Sequence, residues 1–185
     1  GAWGYMIVDA LAADRPAEAL EVMNELDGRP APDWMSVNHL KAWVHAANGQ
    51  AEEAVEAMDN MALLLPKQSH TAHRALLAEG MGDYALALSI YRELPVEFSP
   101  PGDEGVGTME YYIAARNFQH ERLMALREAE LLRALKRNDE AVVLLTRLLA
   151  AEPADGYVEG RLEKATKGED VRPARTLKQA MAEAL

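Results

Sequence analysis

The chain has 185 residues, 49% hydrophobic and 26% charged, with a formal net charge of −11. That is the profile of a folded globular protein large enough to bury a core. It contains no Cys, which excludes disulfides, zinc-thiolate sites and a cysteine nucleophile, and no apolar run approaches the ~18–20 residues of a membrane span. Acidity is concentrated in residues 1–100, which hold 6 Lys/Arg against 15 Asp/Glu, whereas residues 101–185 hold 13 against 15. Counterion release from phosphates needs clustered cations, so the first half is a poor nucleic-acid surface.

Ala and Leu dominate while β-branched residues never alternate over a strand length, so the expectation is all-α. In chain order, Asp14-Arg15-Pro16 is a turn, and Pro16–Leu26 (PAEALEVMNEL) is predicted helical and stopped by Pro30 and Pro32. A second turn at Asn48-Gly49-Gln50 leads into Ala51–Met61 (AEEAVEAMDNM), stopped by Pro66. Gly82-Asp83 opens a third helix within Asp83–Leu94 (DYALALSIYREL), before a Pro/Gly-rich loop over Glu97–Gly107. Thr108–Lys136 is continuously helical in pattern, as one helix or as two with a break near Asn117–His120. Arg137-Asn138-Asp139 then turns into Asn138–Leu148 (NDEAVVLLTRL), followed by Pro153. Asp155–Leu185 holds two further helical stretches separated by Gly168–Pro173. The last of them, Val171–Leu185, has an apolar side with Leu177, Met181 and Leu185, and is expected to pack on the preceding helix or against a second copy.

These segments are phased. Ala19, Ala54, Ala87 and Ala141 stand 35, 33 and 54 residues apart, the last spacing being one repeat plus an insertion. Four residues on come Met23, Met58, Tyr91 and Leu145, and seven on come Leu26, Met61, Leu94 and Leu148, all on one helix stripe. Twelve residues before each alanine stand Ile7, Ala42, Ala75 and Ala129, mostly small, so that two antiparallel helices can approach closely. Gly49 and Gly82 suit the left-handed residue that closes a helix.

The central alanine, its small partner, the Gly-Asp or Asn-Gly turn and the terminal proline resemble the tetratricopeptide (TPR) repeat, over roughly residues 1–153. Trp3 sits where that family often has its first-helix Trp, whereas Asn38, Thr71 and Ala125 replace it later, and His45, Ala78 and Leu132 replace the usual first-helix Tyr. The resemblance implies a right-handed α-solenoid of antiparallel helix pairs. Its units would be 1–32, 33–66, 67–100 and 108–153, with 154–185 as a C-terminal helical pair or cap. Pentatricopeptide repeats share the period but bind RNA, and the acidic balance argues against them.

Patterns that would carry chemistry are missing. Gly102, Gly105 and Gly107 follow no strand, and there is no HExxH or GxSxG motif. His70 and His73 share a helix face but lack a supporting ligand at helical spacing, so they read as surface histidines. Glu52-Glu53 is accounted for by a helix N-terminus. No catalytic residue, metal or cofactor is implied.

In the TPR family the first helices line a groove that binds peptides, and the exposed face carried over from that pattern holds Ser36, His39 and Trp43, then Ser69, Leu76 and Glu79, then Leu126, Glu130 and Arg133. His39, Trp43, Glu79, Glu130 and Arg133 are the partner-binding candidates. The implied partner is a protein or peptide segment, basic or neutral, with an apolar anchor for Trp43, and neither nucleic acid nor membrane insertion is expected. The second reading is a structural spacer or oligomerisation element, dimerising through the inserted helix with Tyr111 and Tyr112 or through the C-terminal helix. The chain begins Gly1-Ala2 without a signal-peptide pattern, as expected of a processed or excised piece, and the compartment stays open between cytoplasm and bacterial periplasm.

Overall fold

The computed structural model describes residues 2–26, 34–94, 96–169 and 175–185, with side chains at 34–36 outside the description. The breakers Pro30 and Pro32, the candidate side chain of Ser36 and the stretch 171–174 therefore lie outside the described residues. Among the described residues there are ten α-helices and no strand. They are α1 (Ala2–Ala12), α2 (Pro16–Leu26), α3 (Trp34–Ala47), α4 (Ala51–Asp59), α5 (Lys67–Gly80), α6 (Tyr84–Tyr91), α7 (Met109–Ala134), α8 (Asn138–Ala151), α9 (Gly156–Lys167) and α10 (Leu177–Ala184).

Five helix ends share one termination. Asp14, Gly49, Gly82, Lys136 and Gly168 all have φ between 58° and 81°. In each case the left-handed residue donates its N–H to the carbonyl three residues back. The next residue donates to the carbonyl five back: Arg15 to Ala10 (2.8 Å), Gln50 to His45 (2.9 Å), Asp83 to Ala78 (3.0 Å), Arg137 to Leu132 (2.7 Å) and Glu169 to Lys164 (3.0 Å). This paired pattern is the Schellman closure, which satisfies carbonyls the helix cannot. The first four left-handed residues each stand five before a phased alanine, so the turn recurs with the alanine phase even where Asp or Lys stands in place of Gly. Such short links between packed helices make α1–α2 and α3–α4 antiparallel neighbours in one part of the chain, and α7–α8 in another.

Burial follows the same phase. Ala19, Ala54, Ala87 and Ala141 are all 0% exposed. Ile7, Ala42, Ala75 and Ala129 twelve residues earlier are buried, as are Met23, Met58, Tyr91 and Leu145 four residues later. Small side chains at both crossing positions let backbones approach and maximise dispersion contact, and any enlargement must be absorbed by a close-packed surround.

The chain forms two compact units, residues 1–90 with 175–185, and residues 91–174. In the first, α1–α4 enclose a core that includes Ile7, Leu11, Met23, Trp43, Met58 and Leu77, and Ala180 of α10 joins it. In the second, α8 packs on both α7 and α9. The helical pattern over 108–136 is realised as one unbroken helix, α7, whose first turn is capped by Thr108 Oγ1 accepting the Tyr111 N–H at 3.2 Å. No helix among the described residues is long and apolar enough to cross a membrane.

Candidate functional site

The surface that decides the reading is made by α3 and α5, the first helices of the second and third predicted repeats. It is covered. The final helix α10, expected on the preceding helix or against a second copy, lies on α5 and reaches α3.

The contact is close because of one residue. Gly80, the last residue of α5, lacks the side chain that would fill the seat: a Cβ there would stand 2.9 Å from the Ala180 Cβ and 3.4 Å from both Leu177 Cδ1 and Trp43 Cζ3. Glycine within a helix costs roughly 1 kcal/mol relative to alanine, and here it admits a second helix backbone. Ala180 is wholly buried, while Leu177, Met181 and Ala184 are partly buried against the core; Leu185 is exposed. Thr176 starts α10 with a reciprocal capping box to Gln179.

Each candidate in this unit lies at the contact. The His39 Nε2–H donates to the Ala184 carbonyl at 3.1 Å, and its ring meets that of His73 edge-on at 5.0 Å. Trp43 is 0% exposed, and its indole N–H has no hydrogen-bond partner among the described residues. Glu79 is 1% exposed, and its Oε1 accepts from the Arg175 backbone N–H at 3.2 Å and from the Arg175 guanidinium at 3.4 Å. Leu76 is buried and Ser69 half-buried. The expected open face with an exposed Trp43 and a rim carboxylate at Glu79 is thus corrected: both side chains are interior, Trp43 in the core that Ala180 joins and Glu79 against Arg175. His70, read as a surface residue, is half-buried and donates from Nε2 to the Met58 carbonyl at 2.9 Å.

The candidates in the second unit are also engaged. Glu130 accepts from Arg161 of α9 at 2.9 Å. Arg133 is 4% exposed and donates to the Glu169 carbonyl just beyond α9. Leu126 is half-buried. Beside them Arg122 grips Asp155 with two bonds of 2.6 and 3.2 Å, and Asp155 caps α9 by accepting the Val158 N–H at 3.1 Å. The Arg122 hydrogen bond, aided by the Val158 amide, holds the Asp155 carboxyl below its usual range against the opposing effect of burial. Arg122 and Arg161 both lie 5.7 Å from the centre of the Tyr157 ring.

Glu79 and Arg133 occupy the same place relative to a helix end, three residues before the left-handed turn residue. Leu11, Ala46 and Ala165 hold that place elsewhere, all buried. The legible signal was this phase: a charge on a buried stripe demands a partner. Gly80, Ala180 and Arg175 were missed by sequence reasoning. A glycine inside a helix, with no turn requiring it, was the available sign of a close approach.

Other concavities are poorer sites. A basin of ≈470 Å³ in the second unit is lined by Arg92, Glu128, Asp139, Glu140 and Arg147, among others. Both of its arginines are engaged: Arg92 pairs with Glu128 at 2.8 Å and Glu140 at 3.5 Å, and Arg147 donates to the Val96 carbonyl while stacking over Phe98. Among the described residues no group of three His, Asp or Glu could hold a metal ion. No protein-family model, curated protein or solved structure matches the chain.

Proposed function

We propose that the chain is a binding module whose helix pairs are degenerate TPR-like repeats, stacked in the right-handed sense within each unit, and that the α3–α5 face holds a helical peptide or protein segment. The observation that carries this reading is α10 itself. A short amphipathic helix, reaching back from far along the sequence, lies across the first helices of two successive repeats, with its small residue in the Gly80 seat and a cation at Glu79. The phased Schellman turns and the four buried alanines support the repeat assignment. Recognition here is helix-in-groove, with apolar anchors giving affinity and the buried carboxylate giving selection. The partner on this reading is a protein segment with a basic residue beside an apolar stripe, not a nucleic acid, and the module has no catalytic step.

The test is titration of isotope-labelled full-length chain with a library of amphipathic helical peptides, read by amide chemical shifts. Binding that moves α3 and α5 amides is the expected result. A library in which no peptide moves those amides, or in which all shifts fall elsewhere, rejects the assignment.

One observation favours the spacer or oligomerisation reading. The first half of α7 exposes Met109, Tyr112 and Ile113 at helical spacing, with Tyr111 and Tyr112 in edge-on contact at 5.8 Å. Loss of association on changing these residues, with α3–α5 silent, would select it.

A further inference from the structure

Resting on the α3–α5 reading, we infer that α10 is a resident competitor in that site. The partner helix that displaces it carries a small residue at the position of Ala180 and an undivided arginine five residues earlier. Four features of the contact lead there.

The seat is selective for shape. A Cβ at Gly80 would stand 2.9 Å from the Ala180 Cβ, which is wholly buried, so a larger side chain at position 180 must displace a close-packed surround.

The charge match is incomplete. Glu79 is buried, yet its Oε2 has no hydrogen-bond partner among the described residues. The Arg175 guanidinium stands 3.4 Å from Oε1 and also pairs with the more exposed Glu183 of α10 at 2.6 Å. An arginine without that internal rival can bond both carboxylate oxygens, the stronger bidentate arrangement.

Other buried polar atoms at the same face are also unanswered. The Trp43 Nε1–H and His39 Nδ1 have no partner among the described residues. Buried polar groups left unpaired weaken whatever buries them, so a segment that offers an acceptor to the indole gains over α10.

The competitor is weak by itself. A helix of eight residues is unstable in water, so release of α10 returns conformational entropy to the chain. The groove therefore reads as autoinhibited, with the resident helix setting the threshold a partner must exceed.

The experiment uses full-length chain carrying Ala180→Arg, which cannot enter the Gly80 seat and leaves α3 and α5 intact. The probe is a fluorescein-labelled synthetic peptide of residues 175–185, together with the same peptide carrying Glu183→Ala. The variant is expected to bind the natural peptide at least ~10-fold more tightly than wild type does. The Glu183→Ala peptide should bind more tightly still, and adding Gly80→Leu should abolish binding of both. Equal affinity of wild type and a folded Ala180→Arg chain for the peptide overturns the inference. A foreign helical peptide that moves α3 and α5 amides equally in both chains would do the same, while leaving the binding-module reading standing. Absence of any α3–α5 ligand for either chain removes both. If wild type sediments as a dimer that Ala180→Arg converts to monomer, the occupant is a second copy's helix and the partner-helix inference falls. Hydrogen exchange on wild type needs no variant: α10 amides should exchange at least ~10-fold faster than those of buried α3 and α5 residues, as sub-global opening requires, and equal protection overturns exchangeability.

Discussion

Glu79 in the first unit and Arg133 in the second each stand three residues before a left-handed turn residue, carry opposite charges, and are satisfied differently by the two units. Arg133 is answered by the Glu169 carbonyl, 36 residues on, at the end of the next helix but one. Glu79 is answered by Arg175, 96 residues on, from just before the helix that follows the whole second unit in the chain. In the second unit neighbouring helices complete one another, with Arg122–Asp155 and Arg161–Glu130 tying α9 to α7. In the first, the same face is left for a segment remote in sequence. A face closed by its chain neighbour belongs to the scaffold, whereas a face closed from far away is, on the proposed function, a site with an occupant.

The largest expected effect that probes this contrast is Trp43→Ala. It removes a wholly buried indole beside the Gly80 seat and should cost about 3–5 kcal/mol, read by denaturant unfolding. A loss below about 1 kcal/mol would mean that the α3–α5 face is not packed as described.

Next comes a matched pair of ion-pair deletions. Arg175→Ala leaves the buried Glu79 carboxylate without its cation and should cost about 1–3 kcal/mol. Arg161→Ala acts on a pair whose side chains are 18% and 15% exposed and should cost about 1 kcal/mol or less. Reversal of that order would erase the distinction between the two faces.

A pH titration separates the units further. Asp155 has its folded-state pKa lowered, so its stabilisation is fully present above its unfolded value of about 3.9. That contribution is lost as pH falls through the lowered folded value. Asp155→Asn should therefore flatten the acid limb of unfolding below about pH 4, followed by Tyr157 fluorescence or α9 amides. An unchanged acid limb would show that the Arg122 pair is energetically idle.

The smallest effect concerns the turns. Lys136 adopts φ 62° where two of the other repeat turns have Gly. A left-handed conformation costs a non-glycine residue roughly 1–2 kcal/mol, part of which an L-residue recovers by restricting the unfolded chain. Lys136→Gly should raise stability by about 0.5–1 kcal/mol, measured as a shift in Tm. A destabilised variant would place the cost of this turn elsewhere.

What the amino-acid sequence determined alone was everything governed by local periodicity. Apolar phase at zero, four and seven residues set which stripe of each helix is buried. Small residues set where two helices cross, and glycine with a following polar residue set where each helix closes. Those features depend on neighbours within about one repeat, so they are legible without knowing the rest of the chain. The turns without glycine were legible from their polar residues at Asp14-Arg15-Pro16 and Arg137-Asn138-Asp139, the second closing slightly earlier, at Lys136. The identity of the surface covering α3 and α5 was decided only by the tertiary structure. His39 and Trp43 share a face by helical spacing and Glu79 was added to it by the TPR resemblance, yet neither says whether solvent, a partner or a distant helix lies over that face. The amphipathic pattern of Val171–Leu185 announced an apolar side without naming its target. Its target follows from a van der Waals fit of Ala180 to Gly80 and a buried charge at Glu79 awaiting Arg175, and such complementarity exists only between residues the folded chain has brought together.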